Sequence, residues 1–181
     1  MKQDDPNQTS LNYFALVASA YCDFIDSLQD GRPQNLYTQL ELLLARLHVS
    51  ILPVFADMND PEMKPPESVR MGYKQWKIIS EQIAQITNEM TNQLYEWHQE
   101  CWKTAKLNDN YCAIRASMLW DDLADIYLDL KSGLMYWEID TEESKIEASW
   151  EWRNGFDTHW GTHLARAMQT VHEARYHLYA N

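Results

Sequence analysis

Leu119-Trp120-Asp121-Asp122-Leu123-Ala124-Asp125-Ile126-Tyr127-Leu128-Asp129-Leu130 carries two patterns at once. Leu119, Leu123, Ile126 and Leu130, continued by Leu134, recur at spacings of four and three, which is one face of an α-helix. Asp122, Asp125 and Asp129 stand at i, i+3 and i+7, so the same helix carries a carboxylate stripe along one flank of its apolar face. Like charges this close repel, and a carboxylate stripe beside a core calls for a cation. That cation is either a divalent metal, which takes hard oxygen ligands, or an arginine.

The helix built on this stretch is expected over 111–137, with Ile114 on its apolar face. Upstream, Leu11, Phe14, Val17, Ala18, Tyr21, Cys22, Ile25 and Leu28 give a first helix over 11–30, with Ser10 as its cap and Gly31-Arg32-Pro33 as its stop. Leu36, Leu40, Leu43, Leu44, Leu47 and Ile51 give a second over 34–56, ended or kinked by Pro53. Leu42 and Val49 widen its stripe, so this helix is expected to be central. Residues 57–67 hold three prolines and read as a loop. Trp76, Ile79, Ile83, Ile86, Met90, Leu94, Trp97 and Cys101 form a near-heptad seam over 68–104, with Thr87-Asn88 as a weak point. A last helix over 141–179 opens with a capping box, Asp140 with Glu143 or Thr141 as the cap. With no period-two segment, the chain is expected to be all-α: one domain over 1–181, an antiparallel bundle of four to five long helices with no sheet.

Composition narrows the function classes. The 181 residues include only 5 Gly and 6 Pro and carry a formal net charge of -12. No glycine-rich phosphate-binding fingerprint occurs. So acidic a chain repels phosphate backbones, which argues against nucleic-acid partners. The amino terminus lacks a signal-peptide pattern, and no stretch approaches the roughly 20 apolar residues of a membrane span. The expectation is a soluble cytoplasmic protein with no membrane partner, its Cys22, Cys101 and Cys112 reduced. No nucleophile signature such as G-x-S-x-G is present.

The stretch Trp150–His163 concentrates costly residues: three Trp, two His, an Arg and two Gly. His159 and His163 at i, i+4 share a helix face and could share a divalent metal. The Glu of a zinc-protease H-E-x-x-H is replaced by Trp160, which argues against metalloprotease chemistry. His48 on the second helix could add a third imidazole, in the manner of DinB-like metal-dependent four-helix proteins, a resemblance limited to these three histidines. Arg153 falls in the apolar stripe and must find a carboxylate, with Asp157, Asp122 and Asp125 as candidates. Gly161 is read as permitting close helix approach beside Trp160, and Gly155 as doing the same or marking a kink. The eight Trp and ten Tyr are read mainly as core, with a partly exposed aromatic groove as the sharper alternative.

Two segments taken together resemble one family. Asp121-Asp122-Leu123-Ala124-Asp125-Ile126-Tyr127-x-Asp129-Leu130 with Gly133-Leu134, and Trp150-x-Trp152-Arg153-x-x-Phe156-x-x-His159-Trp160-Gly161-x-His163 with Ala167 and His172, are similar to the two signatures of a bacterial all-helical family catalogued only as a domain of unknown function (number 5063). The match covers about residues 115–173. Upstream it rests on Ile51-Leu52-Pro53 after two apolar helices. The resemblance implies an all-helical fold and implies that the Asp stripe and the Arg/His face meet in space.

Three functional readings follow. In the first, the protein is a non-enzymatic interaction or self-associating module, its partner another protein or a second copy. Asp121, Asp122, Asp125, Asp129, Trp152, Arg153, Asp157, His159, Trp160 and His163 then form a buried polar network that fixes helix register, and no cofactor is needed. In the second, Asp122, Asp125, His159 and His163 hold a divalent metal for hydrolase-like chemistry. In the third, Arg153 and the Trp residues bind an anion or small molecule.

Overall fold

The computed structural model describes residues 6–31, 33–54, 74, 76–87 and 110–179. Among them every regular element is helical. Helix α1 runs Pro6–Ser27 and ends in a 3-10 turn, Leu28–Asp30. Helix α2 is Leu36–Ile51, α3 is the helical stretch 76–87, and α4 is Asn110–Trp137. Helix α5, Glu142–Gly155, passes through a π-helical turn, Phe156–Trp160, into α6, Gly161–Tyr179. The expected helical bundle is the fold observed. The loop at 57–67, the distal half of the third helix, Cys101, Trp97 and Trp102, and the side chains of Cys112 and Ile114 lie outside the described residues.

Several boundaries differ from expectation for physical reasons. Helix α1 starts at Pro6, not after Ser10: proline's fixed φ suits the first turn, where its missing N–H is not needed. The cap of α5 is Thr141, whose Oγ1 accepts from the Ser144 backbone N–H at 3.1 Å while the Thr141 N–H donates to Ser144 Oγ at 3.0 Å. Asp140 cannot serve, because its φ of 58° is left-handed and a cap needs extended backbone. It instead accepts an ion pair from Lys145 at 2.7 Å.

All eight apolar positions of the α1 stripe are buried. In α2 the Leu36, Leu40, Leu44, Leu47 and Ile51 positions are buried, but Leu42 and Val49 are exposed. At about 100° per residue Leu42 points away from both Leu40 and Leu44, so it cannot widen their stripe. The central helix is therefore α4, not α2. It packs against α1, α5 and α6, and no residue from 119 to 137 is exposed. Tyr21 on α1 donates to the Leu123 carbonyl at 2.9 Å, and Trp152 on α5 donates to the Leu130 carbonyl at 3.1 Å. A helix covered by neighbours along this whole length lies in the middle of the bundle, and the carboxylates it carries must be answered by those neighbours.

Trp152 and Trp160 are both fully buried and pack about Phe14 of α1, Trp152 edge-on at 5.1 Å and Trp160 stacked at 6.2 Å between ring centroids. The last helix was expected to be continuous and α-helical; the π turn is the departure, and it explains this pair. Eight residues of α-helix rotate a side chain by about 800°, which leaves Trp160 about 80° off the Trp152 direction. A π turn absorbs one residue, which brings the two within about 20°. The flanking glycines serve this turn rather than an approach between helices. At Gly161 a Cβ would collide with the Phe156 carbonyl, and at Gly155 it would lie 2.9 Å from the Trp160 ring. Close approach between helices occurs at Gly133 of α4, where a Cβ would fall inside the Trp152 indole.

Candidate functional site

The α4 carboxylates meet the π turn and the first turns of α6. Asp122 is 2 % exposed by side chain and is the most deeply buried acid of the group. Three donors converge on its Oδ1: His163 Nδ1 at 2.8 Å, Arg166 Nε at 3.0 Å and Arg166 Nη2 at 2.6 Å. Arg166 Nη2 also lies 2.8 Å from His163 Nδ1. A guanidinium only donates and a carboxylate only accepts, so the three groups cannot all bond pairwise. The charge on Asp122 decides: His163 carries its proton on Nδ1, and its N–H and the Arg166 guanidinium share one carboxylate oxygen. The same contact holds the His163 pKa above its ordinary value, against the opposing effect of burial. The Arg166 guanidinium is likewise raised, chiefly by Asp122.

One turn away, His159 Nδ1 lies 2.6 Å from Asp129 Oδ2. Burial lifts the Asp129 carboxyl above its ordinary range, and the histidine contact opposes that rise. Burial and the Asp125 charge also raise Asp121. The two imidazoles face each other edge-on with centroids 4.8 Å apart, as their i, i+4 spacing requires. Each has its Nδ1 committed to a carboxylate, which leaves Nε2 as the free nitrogen. His163 Nε2 stands 3.5 Å from Asp125 Oδ2, too long for a good hydrogen bond. The other oxygen, Asp125 Oδ1, accepts from Trp76 Nε1 of α3 at 2.9 Å.

Two groups of residues among those described offer ligand atoms within 4.8 Å of one another: Asp125 with His159 and His163, and Asp121 with Asp122 and His163. The two are not equivalent. On the Asp122 side of the His163 ring the guanidinium of Arg166 already supplies positive charge. On the Asp125 side no arginine or lysine among the described residues is drawn in.

The expected residues divide cleanly. Asp122, Asp125, Asp129, His159 and His163 come together, with Asp121 at the margin. Arg153 finds Asp157 at 3.1 Å, the nearest of its three candidate carboxylates, and not Asp122 or Asp125. Its Nη1 also lies 3.4 Å from the Ile51 and Leu52 carbonyls, where a cation answers the negative end of α2. His48 meets Phe156 edge-on at 5.9 Å and joins neither group. Trp152 and Trp160 belong to the core, their indole N–H groups donating to the Leu130 and Trp152 carbonyls. The network is not closed to solvent: His163 is 14 % exposed by side chain but His159 is 52 %. Arg166 was missed. Its signal was present, since it lies at i+3 from His163 on a helix facing a carboxylate stripe.

No helix among the described residues is long and apolar enough to cross a membrane. No curated relative matches the chain. The crystal structure of protein BF1032 from Bacteroides fragilis is similar in fold, with a TM-score of 0.71 at 18 % identity over 92 % of each chain. A family model described as "Domain of unknown function (DUF5063)" matches residues 7–177. The chain therefore belongs to that family, as its paired Asp and Trp-Arg-His segments led us to expect.

Proposed function

We propose that the α4–α6 face binds a divalent transition-metal ion through Asp125, His159 and His163, and that the protein acts through that ion. The observation that carries this reading is the orientation of the two imidazoles. Each gives its Nδ1 proton to a carboxylate, Asp122 or Asp129, and keeps Nε2. Carboxylate–histidine–metal triads are built this way, the outer carboxylate fixing the tautomer and raising ligand basicity. The 3.5 Å between His163 Nε2 and Asp125 Oδ2 also fits, because two ligands about 2.1 Å from a tetrahedral ion lie about 3.4 Å apart. Two imidazoles and one carboxylate suit Zn²⁺, Mn²⁺ or Fe²⁺ rather than Ca²⁺. Three protein ligands leave positions open for water, and metal-bound water at neutral pH is the reagent of hydrolases.

A second reading is supported by Arg166. Its ion pair with the buried Asp122 neutralises part of the face without a metal and could lock helix register in a module that binds protein partners or self-associates. The anion reading centred on Arg153 has less support, since that guanidinium is engaged by Asp157 and by the α2 carbonyls.

The deciding experiment is elemental analysis of untagged protein, followed by calorimetric titration with Mn²⁺ and Zn²⁺. The metal reading expects one ion per chain, lost in His163→Ala and weakened roughly 10- to 100-fold in Asp129→Ala. Absence of binding by the wild type at millimolar ion, with His163→Ala destabilised, selects the register-locking network instead.

A further inference from the structure

Behind Asp125 lies an open cleft of about 270 Å³ lined by Trp76, Lys77, Ser80, Glu81 and Ala84 of α3 and by Trp120 of α4. Its walls are aromatic: the Trp76 and Trp120 rings stand 6.0 Å apart at 57°. Its surroundings are acidic. Trp76 hydrogen-bonds Asp125, Trp120 directly precedes Asp121, and Glu81 lines the cleft itself. Lys77 is the one cation among the described lining residues, and its ammonium is drawn to Glu81 at 3.8 Å.

From this geometry we infer that the Trp76–Trp120 cleft is a binding site for a small organic cation, an alkylated ammonium group. Indole faces attract cations through the ring quadrupole, and paired aromatic walls are the usual receptor for ammonium groups carrying methyls. The hydrogen bond from Trp76 Nε1 to the Asp125 carboxylate pushes electron density back into that ring, which strengthens the attraction. Electrostatics select the sign of the ligand. Asp121, Asp122, Asp125 and Asp129 outweigh Arg166 even when a divalent ion is added, and the whole chain carries a net charge of -12. An anion would enter against this field, and a neutral ligand would gain nothing from it. An inorganic ion would forgo the indole faces and keep its water. The volume sets the size: a cavity of about 150 Å³ holds benzene, so this cleft takes a group somewhat larger, of roughly the bulk of choline. The site does not depend on a metal at Asp125, and its test is run without one.

Calorimetry in EDTA compares choline with 3,3-dimethylbutan-1-ol, which has the same shape and no charge. The expected result is saturable binding of choline, roughly ten-fold tighter than the alcohol. That preference falls away in Trp120→Leu, survives in Trp120→Phe, which keeps a ring face, and weakens in Glu81→Gln. Equal binding of the two probes would make the cleft merely apolar, and absence of saturable choline binding would remove the site; either outcome overturns the proposal. Both comparisons use the unmodified chain, so they hold even if a Trp120 variant fails to fold.

Discussion

Trp160 and His159 are neighbours on one π turn, yet they do opposite things. Trp160 is fully buried, stacked near Phe14, with its indole N–H satisfied by the Trp152 carbonyl. His159 is half exposed and reaches Asp129 on α4. One residue is held by packing, the other by a single polar contact at an open rim. The contrast teaches where this fold stores its stability and where it keeps polar groups accessible. The core side of the turn is buried; the α4 side carries carboxylates and imidazoles that packing alone would not select.

The comparison breaks most sharply by exchanging the two residues' losses. Trp160→Ala should cost about 3–5 kcal/mol in urea unfolding, the usual penalty for emptying a buried aromatic site. His159→Ala should cost only about 1 kcal/mol, the loss of its contact to the partly buried Asp129, while abolishing the metal binding proposed for this face. Equal costs would mean that the two sides of the turn are one structural unit. Gly133→Ala comes next. The new methyl would enter the Trp152 indole, which is fully buried and anchored to Leu130, so a loss of about 3 kcal/mol is expected by the same assay. A neutral result there would show that α5 can slide on α4.

The smallest effect sharpens the comparison from the polar side. Glu147 on α5 is 5 % exposed, and burial raises its carboxyl above the ordinary glutamate range. A carboxyl whose folded pKa is raised binds its proton more tightly in the native state. It therefore favours folding at low pH and opposes folding once pH passes the raised value. Glu147→Gln should be slightly more stable than wild type near pH 7, and the advantage should vanish as pH falls below the ordinary glutamate range. An advantage independent of pH would show that burial of the charge is not its cause.

The α1 stripe, the α4 stripe and the shared face of His159 and His163 were legible because each depends only on helical spacing; that this face meets the Asp flank was implied by the family resemblance, not by spacing. What escaped the sequence depended on which neighbour reaches a group first. Arg153 answers the end of α2 as well as Asp157, because that end arrives beside it in space. Arg166 reaches Asp122 because α6 lies along α4; its i+3 spacing from His163 was visible in the sequence, but the carboxylate it would meet was not. The π turn left a local trace, two glycines six residues apart bracketing a Trp, but its purpose becomes visible only once Trp152 and Trp160 are known to need the same direction. Leu42 and Val49 misled because apolar character was counted without its angle.

The π turn also behaves as a one-residue insertion in an otherwise ordinary rod. Deleting a residue between Phe156 and Trp160 would let the backbone close into plain α-helix while α5 and α6 kept their mutual rotation, so the bundle could persist without the turn. The spare residue is then not required by the architecture. The same turn carries His159 to Asp129, and a chain of this fold one residue shorter there would keep its shape yet forfeit that half of the polar face.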